Sequence, residues 1–304
     1  MNNKETKSEG TSRKRKFLQL KEKLTPYGFL SPALLILGGV LLFPLIYSLI
    51  LSFQEWNMAS GDPAKFVFLD NYIKIFQSAQ FWNSVKLQVM FVGITVTIEL
   101  IIGLGVALFL NKDFFADNIV RALLLLPAFI LPVVSGLAFR FMYNPQYGAI
   151  NWFIRLFGLD PIPFLSRPGL AFIAIIIQDI WRMWPFMFMI LYAGVSTLPK
   201  APFEAAKISG AGRWQTFRYV TLPLLRPSII TAVILRVLNA LKAFSEIYVM
   251  TNGGPGNATT LMSIFIYKNA FDFYDMGYSA AVSYLLVAVA LFFSIYLVRR
   301  QFKF

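Results

Sequence analysis

The sequence contains long apolar segments that are almost free of charge, and these segments limit the possible folds more than any other feature. Residues 27–53, for example, include no Asp, Glu, Lys or Arg. About 20 consecutive apolar residues are needed for one helix to cross the hydrocarbon core of a bilayer. Strands of a membrane barrel would instead be about ten residues long with strict alternation of polar and apolar residues. The pattern therefore predicts membrane-spanning helices.

Six segments have this length and character, which predicts an all-α integral membrane fold with six transmembrane helices. The third contains Pro127 and Pro132, which a span tolerates when neighbouring helices satisfy the freed backbone groups. The fifth is interrupted by charged residues. The predicted spans are about 27–53, 84–110, 119–143, 169–194, 227–250 and 279–298; they form a transmembrane domain, residues 27–304, after a basic tail, residues 1–26.

The distribution of basic residues predicts the orientation, because cytoplasmic loops of membrane proteins are enriched in Lys and Arg. Alternate segments, beginning with the N-terminal tail, hold eight, two, five and three Lys or Arg residues, whereas the opposite loops hold five in total. We therefore expect a multi-pass protein in contact with membrane lipid, with both termini in the cytoplasm. The net charge of +13 reflects this topology and predicts no nucleic-acid partner.

Two missing residue types exclude most catalytic chemistry. The chain has no His and no Cys, so it lacks imidazole bases, thiolate nucleophiles and the commonest ligands of zinc and haem. It also has no Gly-Lys dipeptide and therefore no phosphate-binding loop of the Walker A type. The sequence predicts a protein that is not itself an enzyme, has no metal site and binds no cofactor of its own.

The loop between the fourth and fifth spans, residues 198–223, differs from the other loops. Pro202 suits the first turn of a helix, and Glu204 complements the positive end of the helix dipole there. Gly210 and Gly212 permit a sharp turn, and a second short segment is expected to end at Leu222-Pro223. The loop predicts a helix–turn–helix that docks into a groove of another protein.

The same loop resembles the EAA signature of binding-protein-dependent ABC transporter permeases. That signature is Glu-Ala-Ala, three residues, Gly, nine residues, Ile, any residue and Leu-Pro. The chain differs from it only at Val220, where the family prefers Ile. A second run, Thr251-Asn252-Gly253-Gly254-Pro255, is similar to the sugar-importing branch with maltose-type and glycerol-phosphate-type permeases. The matching signature residues are Glu204, Ala205, Ala206, Gly210, Leu222 and Pro223.

The resemblance implies a type I ABC importer permease fold in a bacterial or archaeal plasma membrane. It implies that the chain lines a path for a sugar or oligosaccharide together with a second homologous permease. Two ATPase subunits would use ATP and Mg, and the loop 198–223 would be their coupling segment. An extracytoplasmic solute-binding protein would deliver the solute.

Ionisable residues within spans are costly and are therefore candidates for the solute path. Asp179 and Arg182 could line the path or form a local ion pair, as could Lys242 and Glu246, because residues three or four apart share a helix face. Glu99 lies alone in the second span and suits a helix contact as well as a solute contact. Together with the positions where the resemblance implies sugar contacts, the candidate path residues are Asp179, Arg182, Met183, Phe186, Arg236, Asn239, Ala240, Ala243 and Glu246.

The buried acids also allow a different function. Glu99, Asp179 and Glu246 could bind protons or sodium in a secondary transporter that is driven by an ion gradient and has no ATPase. The spacing of the EAA residues favours the ABC permease over this alternative.

Overall fold

The computed structural model describes residues 25, 29–111 and 117–301, and it is a helical bundle. All but one residue of the predicted tail, residues 1–26, lie outside the described part. Among these described residues, five helices are long and apolar enough to cross a membrane, and a bent pair makes a sixth candidate span. The helices are α1 (Phe29–Ser52), α2 (Asp70–Gln77), α3 (Ala79–Phe109), α4 (Asp117–Phe129), α5 (Pro132–Met142), α6 (Ala149–Leu156), α7 (Pro168–Ser196), α8 (Ala201–Ile208), α9 (Arg213–Ala240), α10 (Ser245–Thr251), α11 (Met262–Tyr267) and α12 (Met276–Gln301).

One short antiparallel hairpin departs from the predicted all-α architecture. It pairs β1 (Gln54–Glu55) with β2 (Lys65–Phe66) directly after α1. The buried Asn71 side chain fixes the hairpin, because its amide donates hydrogen bonds to the carbonyls of Ser52, at 3.0 Å, and Gln54, at 2.9 Å. The hairpin therefore joins the end of α1 to the start of α2.

The bundle has two ends, which we call the α8 end and the hairpin end. At the α8 end, Leu110 after α3 packs in one apolar cluster with Val195 and Leu198. At the other end of α3, Phe81 packs with Val282 of α12 in a second cluster. The start of α1 and the end of α12 consequently lie on the same side of the bundle as α8.

The third predicted span, 119–143, is not one straight helix, because α4 and α5 meet at an angle of 89°. Leu131 is extended, with φ −56° and ψ 139°, as expected for a residue that precedes proline. The pair nevertheless runs between the two ends of α7. Leu124 of α4 packs with the Val195 cluster, and Phe139 of α5 packs with Phe172. We therefore treat α4 and α5 as one broken span.

The fifth predicted span, 227–250, has the wrong bounds. The helix α9 begins 14 residues earlier, at Arg213, and ends at Ala240, before a separate helix α10. Side chains from distant helices satisfy the carbonyls at this break. Gln88 donates to the Ala240 carbonyl at 3.2 Å, and the Ser263 hydroxyl donates to the carbonyl of Ala243. The other predicted spans fall on α1, α3, α7 and α12, with ends that differ by at most five residues.

Candidate functional site: a coupling segment and a buried charge network

The helix α8 projects from the α8 end and buries none of its own residues. Pro202 lies in its first turn, where backbone N–H groups have no partner within the helix, so the missing N–H of proline costs no hydrogen bond. Glu204 also lies in this turn, next to the positive end of the helix dipole. Of the predicted signature residues, Glu204, Ala205, Gly210 and Pro223 are exposed, and Ala206 and Leu222 are half-buried.

Gly210 ends α8 in a Schellman motif, which accounts for the glycine of the signature. Its φ is +75°, in the left-handed region that residues with a Cβ rarely adopt. The Ala211 amide donates to the Ala206 carbonyl at 3.0 Å, and the Gly210 amide donates to the Lys207 carbonyl at 3.1 Å. These two bonds satisfy carbonyls that would otherwise lack partners at the helix end. The backbone therefore holds α8 at a fixed angle to the chain that follows.

The second half of the signature lies inside α9, which corrects the expectation of a separate segment that ends at Leu222-Pro223. A π-helical turn, Phe217–Thr221, comes directly before Leu222 and continues into the α-helix without a break. Such a turn widens the helix where proline cannot donate its backbone hydrogen bond. Leu225 is fully buried, so this end of α9 is anchored in the bundle. The second half of the loop 198–223 is thus part of a transmembrane helix.

Exposed apolar side chains surround α8. Ile208 is 88% exposed, Trp214 is 72% exposed and Tyr219 is 75% exposed. Isolated exposed apolar residues are common, but a helix that has no fully buried residue and is flanked by large exposed aromatic residues has the character of a protein-docking surface. We call Ala201–Ile208 together with Trp214 and Tyr219 the docking surface.

Within the bundle, Arg236 of α9 is fully buried between two carboxylates. Its Nε donates to Glu99 of α3 at 2.5 Å and its Nη2 donates to the same carboxylate at 2.9 Å. The Nη2 group also donates to Asp179 of α7. A guanidinium that bonds a carboxylate through two N–H groups has the strongest geometry available to an ion pair.

Arg182 extends this network to a fourth helix. Its Nη2 donates to Glu246 of α10 at 2.9 Å and lies 3.7 Å from Asp179 of its own helix. All five side chains are at least nine-tenths buried. A buried charge without a partner is costly, so the network ties α3, α7, α9 and α10 together. We call Glu99, Asp179, Arg182, Arg236 and Glu246 the charge network.

The network confirms one of the predicted ion pairs and corrects another. Asp179 and Arg182 are close, as their spacing predicted. The predicted pair of Lys242 with Glu246 was wrong, because Glu246 bonds Arg182 and Lys242 is exposed. The reason is the break after Ala240, which removes the continuous helix that would place residues 242 and 246 on one face.

The remaining predicted path residues divide into two groups. Met183, Ala240 and Ala243 are buried within the bundle. Phe186 is half-buried and Asn239 is exposed, so these two side chains reach the surface of the chain. The structure thus brings the charged candidates together and leaves two candidates at the surface of the chain.

Two residues that the sequence reasoning did not select help to hold this region. Gln88 of α3 bridges the break, because its amide donates to Ala240 and its carbonyl accepts from the Met262 amide at 3.2 Å. Gln88 could have been selected from the sequence, because a polar side chain within a predicted span is unusual. Gly136 of α5 lies directly against Glu246, and no local pattern distinguishes it from other glycines.

The carboxylates do not resemble ion-binding sites. Each acid of the ion-gradient alternative, Glu99, Asp179 and Glu246, bonds an arginine. Within the described residues, no group of three or more Asp or Glu residues could hold a metal ion. The geometry therefore gives that alternative no support.

Comparison with known proteins identifies the family. Residues 99–303 match the model of the "binding-protein-dependent transport system inner membrane component" family. The chain belongs to this family. It is therefore a multi-pass inner-membrane permease subunit of a binding-protein-dependent ABC importer, and the permease is not itself a catalyst. This family membership favours the ABC permease over the alternative of a secondary transporter driven by an ion gradient.

Individual relatives extend the match over most of the permease. It is 40% identical over 230 residues to the trehalose/maltose transport system permease protein MalF of Thermococcus litoralis, covering 76% of this chain and 78% of the relative. It is 34% identical over 276 residues to the sulfoquinovosyl glycerol transport system permease protein SmoG of Agrobacterium fabrum, covering 91% and 90%.

A solved structure supports the fold of the permease. A chain from a bacterial ABC transporter involved in the import of the acidic polysaccharide alginate matches with a TM-score of 0.79 and 24% identity. The match covers 94% of this chain and 98% of that chain. The described helices therefore have the ABC importer permease fold.

Proposed function

We propose that this permease pairs with a second homologous permease and forms a path for a sugar or oligosaccharide. An extracytoplasmic solute-binding protein would deliver the solute at the hairpin end. The relatives support the solute class, since one is named for trehalose and maltose and another for sulfoquinovosyl glycerol. Two ATPase subunits would hydrolyse ATP with Mg on the cytoplasmic side, where both termini would also lie.

The observation that carries the coupling role is the docking surface. A helix with no fully buried residue, yet held rigidly by the Schellman motif at Gly210, is suited to receive force from a partner. Glu204 presents one charge on this surface and Ile208 presents apolar area. An ATPase cleft that closes around α8 would move α9 directly, because only residues 209–212 separate the two helices.

The charge network would hold the helices that line the path. Arg182 and Arg236 join α7 to α10 and α9 respectively, so these helices would move as a unit when α9 is displaced. Phe186 and Asn239, which reach the surface of the chain, would face the second permease or the solute. Polar groups beside aromatic faces suit a polyhydroxylated solute.

The solute is tested by uptake into proteoliposomes that contain the complete complex and its binding protein. We expect ATP-dependent accumulation of labelled trehalose or maltose that is insensitive to ionophores. If neither these sugars nor sulfoquinovosyl glycerol were accumulated by an ATP-hydrolysing complex, the sugar proposal would be refuted.

The coupling role is tested by a charge reversal on α8. We expect Glu204→Lys to lower the amount of ATPase that co-purifies with the permease, while its membrane insertion and melting temperature stay unchanged because the side chain is exposed. The matched control is Asp62→Lys, an exposed charge reversal in the hairpin loop. Equal ATPase recovery from the two variants would contradict a docking role for α8.

A further inference from the structure

Four aromatic residues at the hairpin end form a contiguous cluster that neither the charge network nor the coupling segment uses. The rings of Phe244 and Tyr248 are stacked with centroids 5.3 Å apart. Tyr267 lies 5.1 Å from each of them, and Phe271 lies 5.0 Å from Tyr267. We call these four residues the aromatic platform.

The platform is open on one side. Phe271 is 55% exposed, and Phe244, Tyr248 and Tyr267 are each only half-buried. On α10, the buried face carries Glu246, Ile247 and Met250, so Tyr248 lies on a different face from the charge network. Phe244 and Tyr248 pack against the apolar core, so the platform lies at the edge of the core and Phe271 is its exposed end.

The position of the platform connects it with the predicted solute path. Phe244 directly follows Ala243, a predicted path residue, at the break between α9 and α10. Asn239, one turn before this break, is exposed and is also a predicted path residue. The helix α9 starts at the α8 end, so its last turn and the platform lie at the far end of the bundle. A solute that enters from the side opposite the ATPases would meet the platform first.

The polar groups of the platform determine which solute it fits. Two of its four rings, those of Tyr248 and Tyr267, carry a hydroxyl group and lie edge to face with centroids 5.1 Å apart. Aromatic faces with hydroxyl groups at their edges match a pyranose ring, which has apolar C–H faces and a rim of hydroxyls.

We propose that the aromatic platform is a receiving subsite at the outer mouth of the path, where a pyranose ring of the solute stacks before it moves inward. This proposal rests on the proposed sugar-import function. Stacking supplies contact area without requiring a fixed hydrogen-bond pattern, so the same platform would accept successive rings of an oligosaccharide.

The absence of cysteine from the chain permits a direct test. Phe271→Cys places one thiol on the exposed edge of the platform, and Ser60→Cys places one on the exposed hairpin loop as a control. The complete complex is reconstituted with its binding protein, treated with a membrane-impermeant methanethiosulfonate reagent, and analysed for labelling of this chain. We expect binding protein loaded with trehalose to slow labelling of the platform thiol at least threefold relative to empty binding protein, with no change at residue 60.

A second measurement separates ring contact from loss of folding. With saturating trehalose-loaded binding protein, Tyr267→Leu should lower uptake at least fivefold, whereas Tyr267→Phe, which keeps the ring, should stay within twofold of the wild type. Equal thiol labelling with loaded and empty binding protein, in a complex that imports trehalose, would overturn the platform but not the sugar function. An active complex that imports none of the tested sugars would overturn both.

Discussion

Arg236 on α9 donates two hydrogen bonds to Glu99 on α3, although 137 positions separate the two residues in sequence. Both side chains are fully buried. Arg236 also bonds Asp179, so one guanidinium neutralises charge on two neighbouring helices. The pairing explains how a span can carry an arginine and another can carry a glutamate without exposing either to lipid.

The first prediction follows from the imbalance of the charge network, which has three carboxylates and two guanidinium groups. Arg236→Gln removes the central cation and leaves two buried carboxylates without their main partner. We expect a loss of about 3–5 kcal/mol in the free energy of unfolding, measured as a lower melting temperature in detergent. Glu99→Gln should cost less, because it removes the excess negative charge. Arg167→Gln, on an exposed arginine, should stay within about 0.5 kcal/mol of the wild type.

The second prediction concerns the close approach of α5 and α10 at Gly136. A Cβ at this position would lie 2.7 Å from the Glu246 carbonyl oxygen and 2.6 Å from the Val249 side chain. Gly136→Ala must push α10 away, at a cost of about 1–3 kcal/mol, and should disturb the bond between Glu246 and Arg182. Thermal unfolding of Gly93→Ala serves as the control. That glycine lies in α3 with no atom within 4 Å of the added methyl, so the substitution should be neutral or stabilising.

The third prediction compares the two glycines after α8. Gly210 has φ +75° and open space around it. Gly210→Ala would therefore strain the backbone conformation without causing a steric clash. We expect a cost of about 1 kcal/mol at the helix end and a clear loss of ATP-dependent uptake. Gly212 has φ −70°, so Gly212→Ala should transport normally. Equal uptake by the two variants would show that the Schellman geometry is not needed for coupling.

The fourth prediction is a pH dependence at the start of α12. Burial raises the pKa of Asp275 above its ordinary value of 3.8, against a smaller lowering by the Tyr278 amide, which donates to this carboxylate. A raised pKa in the folded state favours the protonated form, so stability should fall as the pH rises through and above 3.8. Asp275→Asn, which can still accept the amide bond, should remove this part of the pH dependence. Thermal unfolding of both proteins between pH 4 and pH 7 checks the difference.

The sequence predicted the first half of the loop 198–223 well because its determinants are local. Pro202, Glu204 and Gly210 each act through the few residues around them, and the structure shows a helix and a left-handed glycine at those positions. Spans made of uninterrupted apolar residues could also be predicted from the sequence, since the length of the apolar segment distinguishes them from other helices and from strands.

The breaks in the bundle could not be predicted because their determinants are distant in sequence. The carbonyl of Ala240 is satisfied by Gln88, which lies 152 positions away. Glu246 bonds Arg182, 64 positions away, and not the nearby Lys242, because α9 has ended before residue 242. Pro127 of α4 and Pro132 of α5 were expected to be tolerated within one span, yet the chain turns by 89° between the two helices. Where a helix breaks and which side chains pair depend on which helices pack together, and the hydropathy of the sequence does not show that.

The continuity of α9 has a mechanical consequence. Its 28 residues form a rod about 40 Å long, with the docking surface attached at one end and Arg236 near the other. A tilt of about 5° imposed beside Gly212 would sweep the far end through roughly 3–4 Å over such a length. The arginine then carries Glu99 and Asp179 with it, so a small rotation at the membrane surface becomes a displacement of three helices within the bundle.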